Sequence, residues 1–146
     1  VDGTSGTSDR SLECGQPFRA AAGGVLTLIA RFPATASAAD RVVTGTVEVT
    51  SPRAIRGVVS PRAEVFLVRD GRVVGVPVAQ DSLGIPWDLA PGKLERLPGD
   101  AQLVSCEPGG GPVPPGEYEL YARVVITPDD GPGVAAFGGP WPLRVT

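Results

Sequence analysis

Few side chains here are equipped for chemistry, and the chain has no histidine. That removes every imidazole base, every His-dependent triad and every His-containing metal site. Two cysteines, Cys14 and Cys106, stand far apart in sequence, which rules out a Cys-x-x-Cys redox or zinc motif. They are read as one disulfide of an exported protein, the alternative being two buried thiols. Lys93 is the only lysine and so the only amine for a Ser–Lys dyad, but Pro91-Gly92-Lys93 reads as a surface turn. Asp129-Asp130, or Asp81 with Asp88, could form a carboxylate pair for glycoside hydrolysis. Asp129-Asp130-Gly131 could offer oxygens to Ca²⁺, although the spacing does not match a twelve-residue EF-hand loop. Adjacent turn carboxylates are more often solvated. No catalytic residue, cofactor or metal site is assigned, and the chain reads as a non-enzyme.

The residues best suited to touching a partner are Arg53, Ile55 and Arg56, in a connection over 51–61 that carries Pro52 and Pro61. Prolines stiffen such a segment and reduce the entropy lost on binding. Trp141 runs in phase with Leu143 and Val145 and is expected in the core, whereas Trp87 could lie in the core or on the surface.

The formal charge of −3 and the pI near 4.9 supply no field that would attract phosphate or anionic lipid, so nucleic acid is not expected as a partner. Twelve arginines against one lysine, with abundant Ala, Gly and Pro, suggest a GC-rich, actinobacterial source. There is no methionine, so Val1 is expected to follow a removed segment. Residues 1–11 are expected to form a flexible N-terminal tether, since 1–9 have the small polar composition of the spacer behind the lipidated cysteine of a bacterial lipoprotein. Contact with a membrane is expected only through such a lost N-terminal anchor, because no apolar run reaches the roughly 20 residues needed to span a bilayer.

The elements that must position these residues are strands. Over 113–127 a Pro-Pro-Gly turn leads into strict alternation, with Tyr118, Leu120, Ala122, Val124 and Ile126 on one face. Residues 25–32 alternate likewise. Over 42–50, Val43, Val47 and Val49 point inward, with Gly45 on the same face as the mark of a close approach or a bulge. Residues 63–70 and 72–80 meet across Asp70-Gly71, a dipeptide suited to a two-residue hairpin turn. Residues 34–40 read as a helical turn or loop, 93–97 show no period, 102–106 form a short strand, 128–140 form a loop, and 141–145 close the chain. No useful 3.6-residue period appears. The expectation is one antiparallel β-sandwich of seven to eight strands over 12–146.

The Pro115-Gly116-Glu117-Tyr118 run resembles the lead into a late strand of an immunoglobulin-like sandwich, which implies that the Tyr118 hydroxyl ties the corner beside Gly116 back to the backbone. Phe66–Val74 with its Asp-Gly hairpin, then Leu89-Ala90-Pro91-Gly92, then the same Pro-Gly-x-Tyr run, is similar to the layout of immunoglobulin-like bacterial domains related to the BsuPI intracellular proteinase inhibitor. The resemblance covers about half the chain and rests on turns more than on active residues. It implies the fold first and protease inhibition second, through 51–61 or 81–98 lying in a protease cleft. The reading is a secreted or lipid-tethered, extracellular or cell-surface binding or structural module with an unidentified protein or cell-envelope partner; the alternative is a proteinase inhibitor.

Overall fold

Side chains on a strand alternate between its two faces, and the best alternation in the sequence becomes the longest strand of the structure. A computed structural model describes residues 13–18, 26–77 and 84–146. Its strands are β1 Thr27–Arg31, β2 Thr35–Ala36, β3 Val42–Thr50, β4 Ile55–Val59, β5 Ala63–Arg69, β6 Arg72–Gly75, β7 Ile85–Leu89, β8 Glu95–Gln102, β9 Gly116–Pro128 and β10 Val134–Val145. The described residues contain no α-helix, and the chain is all-β.

In β9 the residues Tyr118, Leu120, Ala122, Val124 and Ile126 are all buried, while their sequence neighbours are half-buried or exposed. One edge of β9 pairs with β10. Its other edge pairs first with β5 and then with β4, which in turn carries β7. The free side of β5 is likewise divided, between β6 and β8. The resulting order is β1-β3-β8-β5-β9-β10-β2 in a single hydrogen-bonded network that curls on itself. The curl brings β10, next to the far end of this order, so close to β1 that a Cβ on Gly138 would lie 2.8 Å from Leu28 Cβ.

The inner face of the curl is the core. Leu28 of β1, Val47 and Val49 of β3 and Leu97 of β8 share one apolar cluster with Val59, Trp87, Leu89, Val124 and Ile126 from β4, β7 and β9. Trp87 is therefore a core residue, 7% exposed. A second cluster joins Val43, Val65, Leu67, Ala101, Tyr118, Leu120, Leu143 and Val145, and the half-buried Trp141 packs against both. Gly45 does mark a close approach: a Cβ there would sit 2.5 Å from the Arg31 carbonyl and 2.7 Å from the Phe32 ring. The Asp70-Gly71 turn has φ of 53° and 77° at its two central residues, the left-handed pair that such a hairpin requires.

Several expectations are corrected. The described residues form ten strands instead of seven or eight, and the pairing is mixed, since β5/β8 and β10/β2 run parallel. The aperiodic 93–97 stretch leads into β8, an eight-residue strand whose buried positions are Leu97, Gly99 and Ala101. Two of those three are small, so the alternation is faint in hydrophobicity. Of the expected strand at 102–106, Gln102 ends β8 and Val104 makes a single bridge to Pro112. The expected loop at 128–140 shrinks because β10 starts at Val134, with its glycines taken up in a bulge between Gly138 and Trp141. The 34–40 segment holds both β2 and a 3₁₀ turn, Ala38–Asp40, with a Ser37 capping box. The boundary expected between a tether and the domain lies outside the described residues.

On the outer surface, Glu48 is only 8% exposed because Arg31 from β1 and Arg96 from β8 close over it, at 3.4 and 3.3 Å. Residues 13–18 run along β6, with Gly15 N–H donating to the Val73 carbonyl and Phe18 N–H to the Gly71 carbonyl. The Phe18 ring reaches the Tyr121 ring at 4.0 Å between centroids.

Candidate functional site

The local cause of the site is a glycine. Gly57 of β4 lies so close to β9 that a Cβ would fall 2.3 Å from the Thr127 carbonyl, and the pairing Gly57↔Pro128 needs that space. Immediately before it, residues 53–56 are drawn against the turn that leaves β9, where Asp129 N–H donates to the Arg56 carbonyl at 3.0 Å. Between the two segments lies a cleft of about 450 Å³. Arg53, Ala54, Ile55 and Arg56 form one side, Pro128, Asp129, Asp130 and Val134 the other, and Leu26, Ile126 and Ala136 line it as well. Leu26, Ile126 and Ala136 are buried, whereas Val134 remains 42% exposed.

Arg53 is held by its own turn. The Ser51 side chain, on a residue 2% exposed, accepts from Arg53 N–H at 3.1 Å and donates to the Arg53 carbonyl at 2.7 Å, which fixes the backbone. The Arg53 guanidinium has no hydrogen-bond or ion-pair partner among the described residues. Arg56 differs, because its Nη2 donates to Asp88 on β7 at 3.0 Å, an exposed pair. The Asp129 and Asp130 carboxylates also have no cation partner among the described residues.

The three expected contact residues thus fall at one place, although only Arg53 lies in the connection itself; Ile55 and Arg56 belong to β4. Asp129 and Asp130, weighed separately as calcium donors, come to the same cleft, and no group of three metal-ligating side chains occurs among the described residues. The other chemical candidates are scattered. Asp88 is taken by Arg56, Asp81 lies outside the described residues, and Lys93 pairs with Glu95 at 3.2 Å. The sequence did not reveal Leu26, Ile126, Val134 and Ala136 as cleft residues, since each looks like an ordinary strand position and only the pairing of β9 with both β4 and β10, with β1 packed against β10, assembles them.

The remaining singled-out residues are structural. Cys14 and Cys106 are disulfide-bonded with their Cα atoms 5.8 Å apart. The Tyr118 hydroxyl donates to the Pro114 carbonyl at 2.5 Å and accepts from Arg69 Nη1 at 3.2 Å, while the Arg69 guanidinium lies 5.1 Å from the ring centroid. Gly116 leaves room for that guanidinium, as a Cβ there would be 2.8 Å from Arg69 Nη2.

No family model matches the chain, and no curated protein does. Among solved structures, the chain is similar to Spo0M, a sporulation control protein from Bacillus subtilis, at 14% identity and a TM-score of 0.44 over 84% of this chain and 50% of that one. It is similar to the putative ApaA protein from Bordetella pertussis at 14% identity and a TM-score of 0.45, covering 82% of this chain and 91% of that one. A β-glucosidase from Listeria innocua shows 11% identity and a TM-score of 0.45 over 82% of this chain, which spans only 16% of the β-glucosidase. The likeness is one of β-rich fold and goes no further, and the resemblance to BsuPI-related domains stands on its motifs alone.

Proposed function

We propose that this domain is a non-catalytic binding module of a bacterial cell envelope, secreted or held by a lipid anchor, and that it takes its partner at the cleft between 53–56 and 128–136. The observation that carries the reading is the cleft itself. Two segments distant in sequence bring to an apolar hollow charges of both signs that have no partner among the described residues, the combination of apolar lining and few polar groups that marks ligand sites. The Cys14–Cys106 disulfide favours an oxidising compartment. Among the described residues no helix is long and apolar enough to cross a membrane.

The test is retention of envelope proteins on the immobilised domain, comparing wild type with Ala54→Trp, which puts a bulky side chain at the exposed rim, and with Arg53→Ala. Partners retained by wild type are expected to be lost from both variants at unchanged melting temperature. Identical retention by all three proteins would overturn the proposal. Protease inhibition draws less support from the same segment, because β4 is fixed between β7 and β9 and Ser51 is buried, which leaves only the exposed residues 52–54 ahead of β4 to enter a protease.

A further inference from the structure

We infer that the cleft receives a short peptide segment carrying a free carboxylate beside an apolar side chain, with a cationic group on its other flank. This rests on the reading of the cleft as the binding site and names what enters it. The volume of about 450 Å³ falls in the lower part of the roughly 300–1,000 Å³ range of ligand pockets, enough for a few residues and too little for a folded partner's surface. Leu26, Ile55, Ile126 and Ala136 give an apolar side chain somewhere to be buried.

The charges decide the rest. Arg53 has a complete guanidinium fork without a partner among the described residues, and a planar fork matches a carboxylate in bidentate geometry. Its backbone is fixed by the Ser51 hydroxyl, so less order is lost when a ligand binds. Arg56 has already committed Nη2 to Asp88, so Arg53 is the stronger anion anchor. On the opposite rim Asp129 and Asp130 repel a purely anionic ligand such as a phosphate and attract an ammonium or guanidinium. A purely apolar ligand would strip water from charges on both rims without replacing it. A peptide end offers both signs of charge around an apolar side chain, and the cleft offers their complement.

The experiment is isothermal titration calorimetry with three probes: the tripeptide Lys-Ala-Leu as free acid, its C-terminal amide, and N-acetyl-norleucyl-Ala-Leu, which lacks both ammonium groups. Each is titrated into wild type, Arg53→Gln, Asp130→Asn and Ala54→Trp, all at exposed positions. Binding of the free acid to wild type is expected to weaken by about tenfold or more on amidation or in Arg53→Gln. The two changes together should cost little more than either alone, because they remove the same contact. Loss of the ammonium groups and Asp130→Asn should form a second such pair with a smaller effect, being a solvent-screened rim contact. Ala54→Trp should abolish binding. Equal affinity for acid and amide would overturn the inference, as would amidation and Arg53→Gln acting independently. If no tripeptide binds but Ala54→Trp still releases envelope partners, the ligand class is wrong and the cleft stands. If Ala54→Trp changes neither measurement, the cleft reading falls with it.

Discussion

Replacing Tyr118 by Phe removes one oxygen and leaves the buried ring in place. Tyr118 is 3% exposed, and its hydroxyl holds two partners, the Pro114 carbonyl at 2.5 Å and Arg69 Nη1 at 3.2 Å. A neutral hydrogen bond of the first kind contributes about 1 kcal/mol net. The second is charge-assisted, a class worth roughly 1.5–3 kcal/mol, but it is long and Arg69 is half-buried, so we discount it to about 1 kcal/mol. Pro114 is exposed, so its carbonyl can bond to water in the variant and brings no further penalty. The expected loss is therefore about 2 kcal/mol. With a urea m-value of about 2 kcal/mol/M for a domain of this size, the unfolding midpoint should fall by about 1 M at constant m. Tyr121→Phe is the control, since that hydroxyl has no hydrogen-bond partner among the described residues, and its midpoint should barely move. A Tyr118→Phe midpoint equal to wild type would refute the corner as a stabilising device.

Two further outcomes follow from other parts of the fold. Cys14→Ser with Cys106→Ser should lower stability by about 2–4 kcal/mol, somewhat below the chain-entropy limit for so long a loop, and the wild type should gain two alkyl adducts by mass only after reduction. Burial, reinforced by the Glu119 carboxylate, raises the pKa of Tyr121 above the usual tyrosine value. The folded state then holds its proton more tightly than the unfolded state, so this contribution to stability is complete below about pH 10 and is lost as pH rises through the folded pKa. Ultraviolet titration should show a tyrosine ionising late, and Glu119→Gln should bring it partly back; unchanged ionisation in Glu119→Gln would remove the carboxylate as a cause.

What could be read in advance was whatever a short window encodes. The alternation of 118–126, the Asp70-Gly71 turn and the close approach at Gly45 each depend on a few adjacent residues, and each appears in the structure. β8 could not be read because Gly99 and Ala101 fill two of its inward positions; at Gly99 a Cβ would lie 3.0 Å from the Val65 side chain, so the site favours the smallest residue. The start of β10 was hidden by Gly138, Gly139 and Pro140, residues that normally end strands and here form a bulge. For the cleft, Arg53, Ile55 and Arg56 were visible from their proline-bounded segment. Their companions were not, because the meeting of Gly57 with Pro128 is a contact across 71 positions that no local pattern records.

The place of β9 in the network also has a bearing on how the chain is made. β5 carries the run Val65–Val68, apolar and buried on both faces, and one whole edge of that run pairs with β9, more than fifty residues downstream. During synthesis β5 can fold back on β6 at once, but its other edge stays open until β9 has emerged. Such an edge is the usual template for unwanted pairing between chains. A nascent or truncated polypeptide ending before residue 119 would therefore present a sticky ribbon, and it is the arrival of β9, late in translation, that closes it.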